Sequence, residues 1–203
     1  MKRLRRYTII GIVFVLVTGT LAHFLYEWSG NQKIVGLFAP VNESVWEHMK
    51  LLFFPMLLYA PFMVFRLRED CPCILSSLCG GLLSGTLAIP VLFYGYTFLL
   101  GRDVFFLDIA VFILSVLLAF WITYRLALYC RPKLSTVLLV CSVGILFSCF
   151  LYFTYHPPKG SLFADPTVGQ KESAFSGQNS SGSAAICVDS LRNWPAAASY
   201  NLP

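Results

Sequence analysis

The sequence predicts an all-α, polytopic transmembrane helix bundle of about five spans, with its N-terminus in the cytoplasm. Three observations carry this expectation. Of 203 residues, 57% are hydrophobic and only 12% are charged, about half the charged share of an ordinary soluble domain. Five apolar segments are long enough to cross a hydrocarbon core, which takes about 20 helical residues. Lys and Arg gather at alternate ends of those segments. Backbone polar groups find no water in lipid, so each segment must satisfy its own hydrogen bonds as a helix.

The first span covers about residues 7–26 and follows Lys2, Arg3, Arg5 and Arg6. It is longer than the apolar region of a signal peptide, about 7–15 residues, and Thr20-Leu21-Ala22 is a poor cleavage site, so an uncleaved span is expected. The second covers about residues 44–67, with Pro55 and Pro61 placed to bend it or open its hydrogen-bond ladder. The third, about residues 74–100, contains Pro90 and the run Gly81-Leu82-Leu83-Ser84-Gly85. That small-residue spacing lets two helices approach closely and offers Gly81 and Gly85 as a face for self-association. The fourth and fifth cover about residues 104–128 and 136–155. The bundle is therefore expected over residues 1–158. Residues 159–203 are rich in Ser, Gly and Asn from Ser173 to Ser183 and predict a flexible tail.

A cytoplasmic N-terminus puts the Arg66/Arg68 and Arg131/Lys133 turns on the cytoplasmic side, as the distribution of basic residues in membrane proteins requires. The net charge of +5 thus reads as cytoplasmic flanks and not as a nucleic-acid surface. The expected surroundings are the lipid bilayer. The seven cysteines show no zinc spacing, and Cys71-Pro72-Cys73 stands alone in a turn. The chain has no Gly-rich phosphate loop, no HExxH, no GxSxG and no paired CxxC.

Most of the unusual polar residues fall at the outer ends of the spans. The three histidines, His23, His48 and His156, are all placed there, with Glu27, Glu43, Glu47, Asp103 and Asp108 at the same level. Ionisable groups near membrane depth are costly and tend to face a bundle interior or a wet cavity. His23 and Glu27 are four apart and share a helix face, as do Glu43 and Glu47, with Lys50 three residues further on. The short connection between the first two spans makes their ends neighbours. His23, Glu27, Glu47 and His156 are therefore candidate ligands for a divalent metal such as Zn²⁺, Mn²⁺ or Fe²⁺. Glu43, Glu47 and His48 are candidate catalytic residues. Glu47 and His48 point about 100° apart on a helix, which makes joint ligation of one ion awkward. The same residues also have an architectural reading. Ser44-Val45-Trp46-Glu47 is a capping box, Glu43 suits a helix N-terminus, and Glu47 can pair with Lys50. Asp108 is expected to pair with Arg102 or Lys50.

The run from Phe38 to Lys50, Phe-Ala-Pro-Val-Asn-Glu-Ser-Val-Trp-Glu-His-Met-Lys, joins His23-Phe24-Leu25-Tyr26-Glu27-Trp28-Ser29-Gly30 upstream and Phe53-Phe54-Pro55 downstream. With these residues the chain resembles an uncharacterised family of small bacterial multi-pass membrane proteins, a domain of unknown function. The likeness is specific over about residues 20–60 and looser at His156-Pro157-Pro158 and Phe163-Ala164-Asp165-Pro166. It implies a bacterial cytoplasmic membrane protein and supplies no activity. From about Lys171 onward the likeness ends.

Three classes of function stay open: a membrane-embedded metal-dependent or acid/base enzyme acting on a lipid or small molecule, a small solute or ion-coupled transporter, and a non-catalytic accessory protein. Absence of charge deep in the spans counts against a proton relay through the bundle. Absence of a recognisable catalytic motif counts against the enzyme.

Overall fold

The computed structural model of the chain describes residues 1–129 and 133–165, with backbone alone for residues 133–135. Among the described residues the fold is all-helical, without strands: α1 (Lys2–Trp28), α2 (Lys33–Gly36), α3 (Val45–Leu67), α4 (Ile74–Leu100), α5 (Phe105–Tyr129), α6 (Lys133–Phe153) and a 3-10 turn at Ser161–Phe163. Five helices, α1, α3, α4, α5 and α6 from Thr136 onward, are long and apolar enough to cross a membrane. They coincide with the five predicted segments to within a few residues. The four-residue α2 is an addition, too short to leave a periodic signal. Residue 130 to residue 132, with the Arg131 turn, and everything beyond Asp165, with most of the expected tail, lie outside the described residues.

Packing explains the order. α4 runs along α5 and α3 and also touches α6, while α1 lies against α3 and α5. The small-residue face of α4 is occupied within the chain. Gly81 meets Thr123 and the Ala119 carbonyl of α5, and Gly85 meets Ala119 and the Ser115 carbonyl, so a methyl group at either position would overlap its neighbour. The surface sequence reasoning offered for self-association is thus covered by the chain's own α5. α3 runs helical through Pro55 and Pro61, and α4 through Pro90. Outside this core the large side chains Val13, Val17, Leu117, Trp121, Val137 and Leu138 are exposed. The bundle therefore carries apolar groups on its exterior as well as in its core.

At one end the connection between α1 and α3 is folded down as a cap. Gly30 and Asn31, with φ of 72° and 62°, end α1 in the left-handed region, which glycine and asparagine tolerate best. The cap is then pinned from below. Lys50, 0% exposed, donates to the Gly36 carbonyl at 3.0 Å, to Glu47 Oε2 at 2.7 Å and to Thr154 Oγ1 at 2.6 Å, so all three ammonium protons have acceptors. Glu47, 2% exposed, also accepts from the Val41 amide at 3.0 Å. Tyr155 adds a hydrogen bond to the Lys33 carbonyl at 2.5 Å. Gly36 is small of necessity, because a methyl group there would fall 2.6 Å from Val41 Cγ1 and 2.8 Å from the Tyr155 hydroxyl. Beyond α6, Phe163 folds back onto Trp46 and Phe153 at ring-centroid distances of 5.0 and 5.7 Å. The packed structure thus continues past residue 158.

Half of the predicted capping box forms. Ser44 Oγ accepts from the Glu47 amide at 3.4 Å. The reciprocal bond does not form, because the Ser44 amide donates to Asn42 Oδ1 at 3.0 Å and Glu47 turns to Lys50 and Val41 instead. A buried ammonium outcompetes a neutral amide for the carboxylate, since charge-assisted bonds are about twice as strong.

Truncating one partner of this pair strands the other charge, a loss of about 3–5 kcal/mol. Lys50→Ala is therefore expected to lower the thermal midpoint in detergent strongly. The double change Glu47→Leu with Lys50→Met should recover most of that loss; equal losses for the single and double variants would refute the assignment.

Candidate functional site

At the capped end, three polar side chains from separate segments converge. His23 comes from the last turns of α1, Glu43 from the connection and His48 from the first turn of α3. Each offers one ligand atom, and these atoms lie within 4.8 Å of one another. Glu43 Oε2 is 3.4 Å from His48 Nε2 and 3.9 Å from His23 Nε2. The two imidazole rings meet edge to face with centroids 5.4 Å apart. The side chains are 33%, 46% and 27% exposed for His23, Glu43 and His48, so the cluster is open to a solute yet walled by the bundle.

The sequence places each residue for a local reason. The buried positions of α1, Leu4, Thr8, Gly11, Val15 and Gly19, step by three or four, and the next step of four reaches His23. His23 thus extends the stripe that faces α3. On α3, His48 Nδ1 lies 3.0 Å from the Ser44 carbonyl. A carbonyl only accepts, so Nδ1 carries a proton there, and Nε2 is the ring nitrogen that lies 3.4 Å from Glu43.

Close approach of α1 and α3 sets the spacing. A methyl group on Gly19 would sit 2.5 Å from the Leu51 carbonyl oxygen and 2.7 Å from the Phe112 ring. Pro55, four residues after Leu51, has no N–H to give that carbonyl. Gly19 lets the α1 backbone come up against it, one turn below His23 and His48.

The other candidates lie elsewhere. Glu47 is taken up by Lys50 and Val41 beneath the cluster, as its angular offset from His48 anticipates. Glu27 is exposed. His156 is exposed and stacks on Tyr152 with centroids 5.1 Å apart. Neither belongs to the ligand grouping among the described residues. Asp108 pairs with neither Arg102 nor Lys50: the Tyr96 hydroxyl donates to its Oδ1, because α4 and α5 are adjacent and Lys50 is already saturated. Asp108 lies within electrostatic reach of His48, Glu43 and Asp103. Sequence reasoning missed the contributions of Tyr96, Thr154 and Gly19; a hydroxyl or glycine in an apolar helix carries no signal until its neighbour is known. At the far end of the bundle, burial and the adjacent Asp70 carboxylate push the Cys71 thiol up, which makes it a poor nucleophile.

If Gly19 sets the site, Gly19→Leu should part His23 from His48 without touching either. In a His23→Cys, His48→Cys background, cross-linking by a short bifunctional thiol reagent is expected to fall severalfold on adding Gly19→Leu. Unchanged cross-linking would show that the helix approach does not govern the cluster.

No curated protein and no solved structure matches the chain. A family model does, the family of unknown function DUF6512, over residues 1–172, which include every residue of the cluster. The chain belongs to this family of unknown function.

Proposed function

We propose that this chain is a multi-pass protein of the cytoplasmic membrane, N-terminus inside, whose working part is a cation-binding centre at the outer face. The observation that carries the reading is the convergence of His23, Glu43 and His48 from three chain segments. A polar end needed only for capping has no reason to bring two imidazoles and a carboxylate together.

Two features support the membrane placement. The exterior is apolar over helices of spanning length. Basic residues collect at the end opposite the cluster, where Arg3 pairs with Asp70 at 2.7 Å and so brings the start of α1 beside the turn after α3. Basic residues favour the cytoplasmic side, which leaves the cluster outside. Charge supports a cationic ligand. The Glu43 carboxylate lies beside both histidines, Asp108 is within electrostatic reach of it, and the buried cation Lys50 is paired with Glu47. Such a centre serves an ion-coupled carrier or an enzyme equally well; in both, capture of the cation comes first.

In intact cells, His23→Cys and Glu43→Cys should react with a membrane-impermeant maleimide, and Arg68→Cys only after the membrane is opened. Purified protein should unfold at higher temperature with one or more of a panel of metal and small organic cations. A ligand at 100 times its dissociation constant contributes about 2.7 kcal/mol, and Glu43→Gln should abolish the gain. Labelling with the opposite sidedness, or no stabilisation by any cation, would overturn the reading.

A further inference from the structure

We infer that the centre takes a divalent transition-metal ion of the zinc type, held by His23 Nε2, His48 Nε2 and a Glu43 oxygen, with at least one coordination position open. This rests on the cation-binding reading and narrows it to one class of ligand.

The donor set comes first. Two imidazole nitrogens and one carboxylate oxygen suit Zn²⁺ and its first-row neighbours, whereas Ca²⁺ and Mg²⁺ favour all-oxygen sites. Orientation comes second. Metal-bound imidazoles almost always donate their other N–H to a carbonyl or carboxylate, which fixes the ring and frees the ligating lone pair. His48 already does so: Nδ1 is held by the Ser44 carbonyl at 3.0 Å and Nε2 faces the carboxylate.

Spacing comes third. Bonds of about 2.0–2.1 Å in a tetrahedron put ligand atoms roughly 3.3 Å apart. The His48–Glu43 edge, at 3.4 Å, already fits, the His23–Glu43 edge, at 3.9 Å, needs to close by about half an ångström, and the third edge, between the two histidines, lies within 4.8 Å and closes as His23 swings in. Both histidines are partly exposed and Glu43 lies in a connection, so rotation of side chains supplies that movement. The site is therefore half built by the fold and half closed by the ion. Glu47, locked to Lys50, is not a further ligand. Three protein ligands leave a place for water or a solute group, the arrangement of a reactive or transient site rather than a structural one.

The test uses the full chain, purified in detergent without a polyhistidine tag, stripped with a chelator and titrated with ZnCl₂ and CoCl₂. One ion per chain is expected, with the visible absorption of four- or five-coordinate Co²⁺ and its displacement by Zn²⁺. Outer partners of metal ligands typically change affinity 10–100-fold, so His23→Ala, Glu43→Gln and His48→Ala should each weaken binding by about 100-fold or more. Glu27→Gln and His156→Ala should bind as the parent does. Should a ligand variant fail to fold, the parent's Co²⁺ spectrum decides, since a six-coordinate, all-oxygen spectrum refutes the assignment. No Zn²⁺ or Co²⁺ binding by the parent, or binding that survives all three substitutions, would also overturn it. Stabilisation by an organic cation without metal binding would sink this inference and keep the broader reading. Metal binding with cytoplasmic labelling would do the reverse.

Discussion

A lysine buried without access to solvent governs the architecture of the capped end. Lys50 projects from α3 into a space where no water can solvate its ammonium group, and removing a charge from water costs several kcal/mol. That cost is met only when three acceptors from three places arrive together: Glu47 on its own helix, the Gly36 carbonyl in the cap and Thr154 just beyond α6. Apolar packing tolerates sliding and rotation. A fully satisfied ammonium does not, because a shift of an ångström would leave one of its protons without a partner. The ion pair therefore contributes less to net stability than to the choice of one arrangement.

From this fixed point the candidate site follows upward. Pinning Gly36 and Val41 holds the connection over the bundle, and the connection carries Glu43. Glu47 points down to Lys50, and the helical step to the next residue turns His48 toward α1. Gly19 removes the side chain that would keep α1 away, so His23 arrives on the other flank. Residues adjacent in sequence thus divide into two layers. The lower one is buried, ionic and saturated. The upper one is partly exposed, with two ring nitrogens and a carboxylate oxygen gathered within 4.8 Å of one another. An ammonium with all three protons placed can only hold; the partly exposed group above it is where a ligand can be received.

Much of the fold was legible from residue order. Five helices long and apolar enough to cross a membrane, and their limits, follow from apolar length, because a run of that length and composition suits a helix that satisfies its own backbone. Period explains part of the site as well, since the 100° step from Glu47 to His48 anticipated that the two would not share one ligand. The partners were less legible. Asp108 has Tyr96 where charge alone suggested Arg102 or Lys50, and Gly81 and Gly85 meet α5 of the same chain. In each case the missing information was which helices are neighbours, and a hydropathy pattern does not encode that.

Local chemistry along the chain was sufficient to name a helical membrane-type bundle, to start α3 at Ser44 and to gather the histidines and carboxylates at one end. These depend on interactions within a turn or with a uniform solvent, which a sequence states directly. Tertiary structure alone selected His23, Glu43 and His48 from among those polar residues and set Glu47 aside for Lys50. Selection of that kind rests on contacts between α1, the cap and α3, and on a third acceptor 104 residues away from Lys50 at Thr154. No periodicity carries so distant a pairing; it exists only when the bundle has closed.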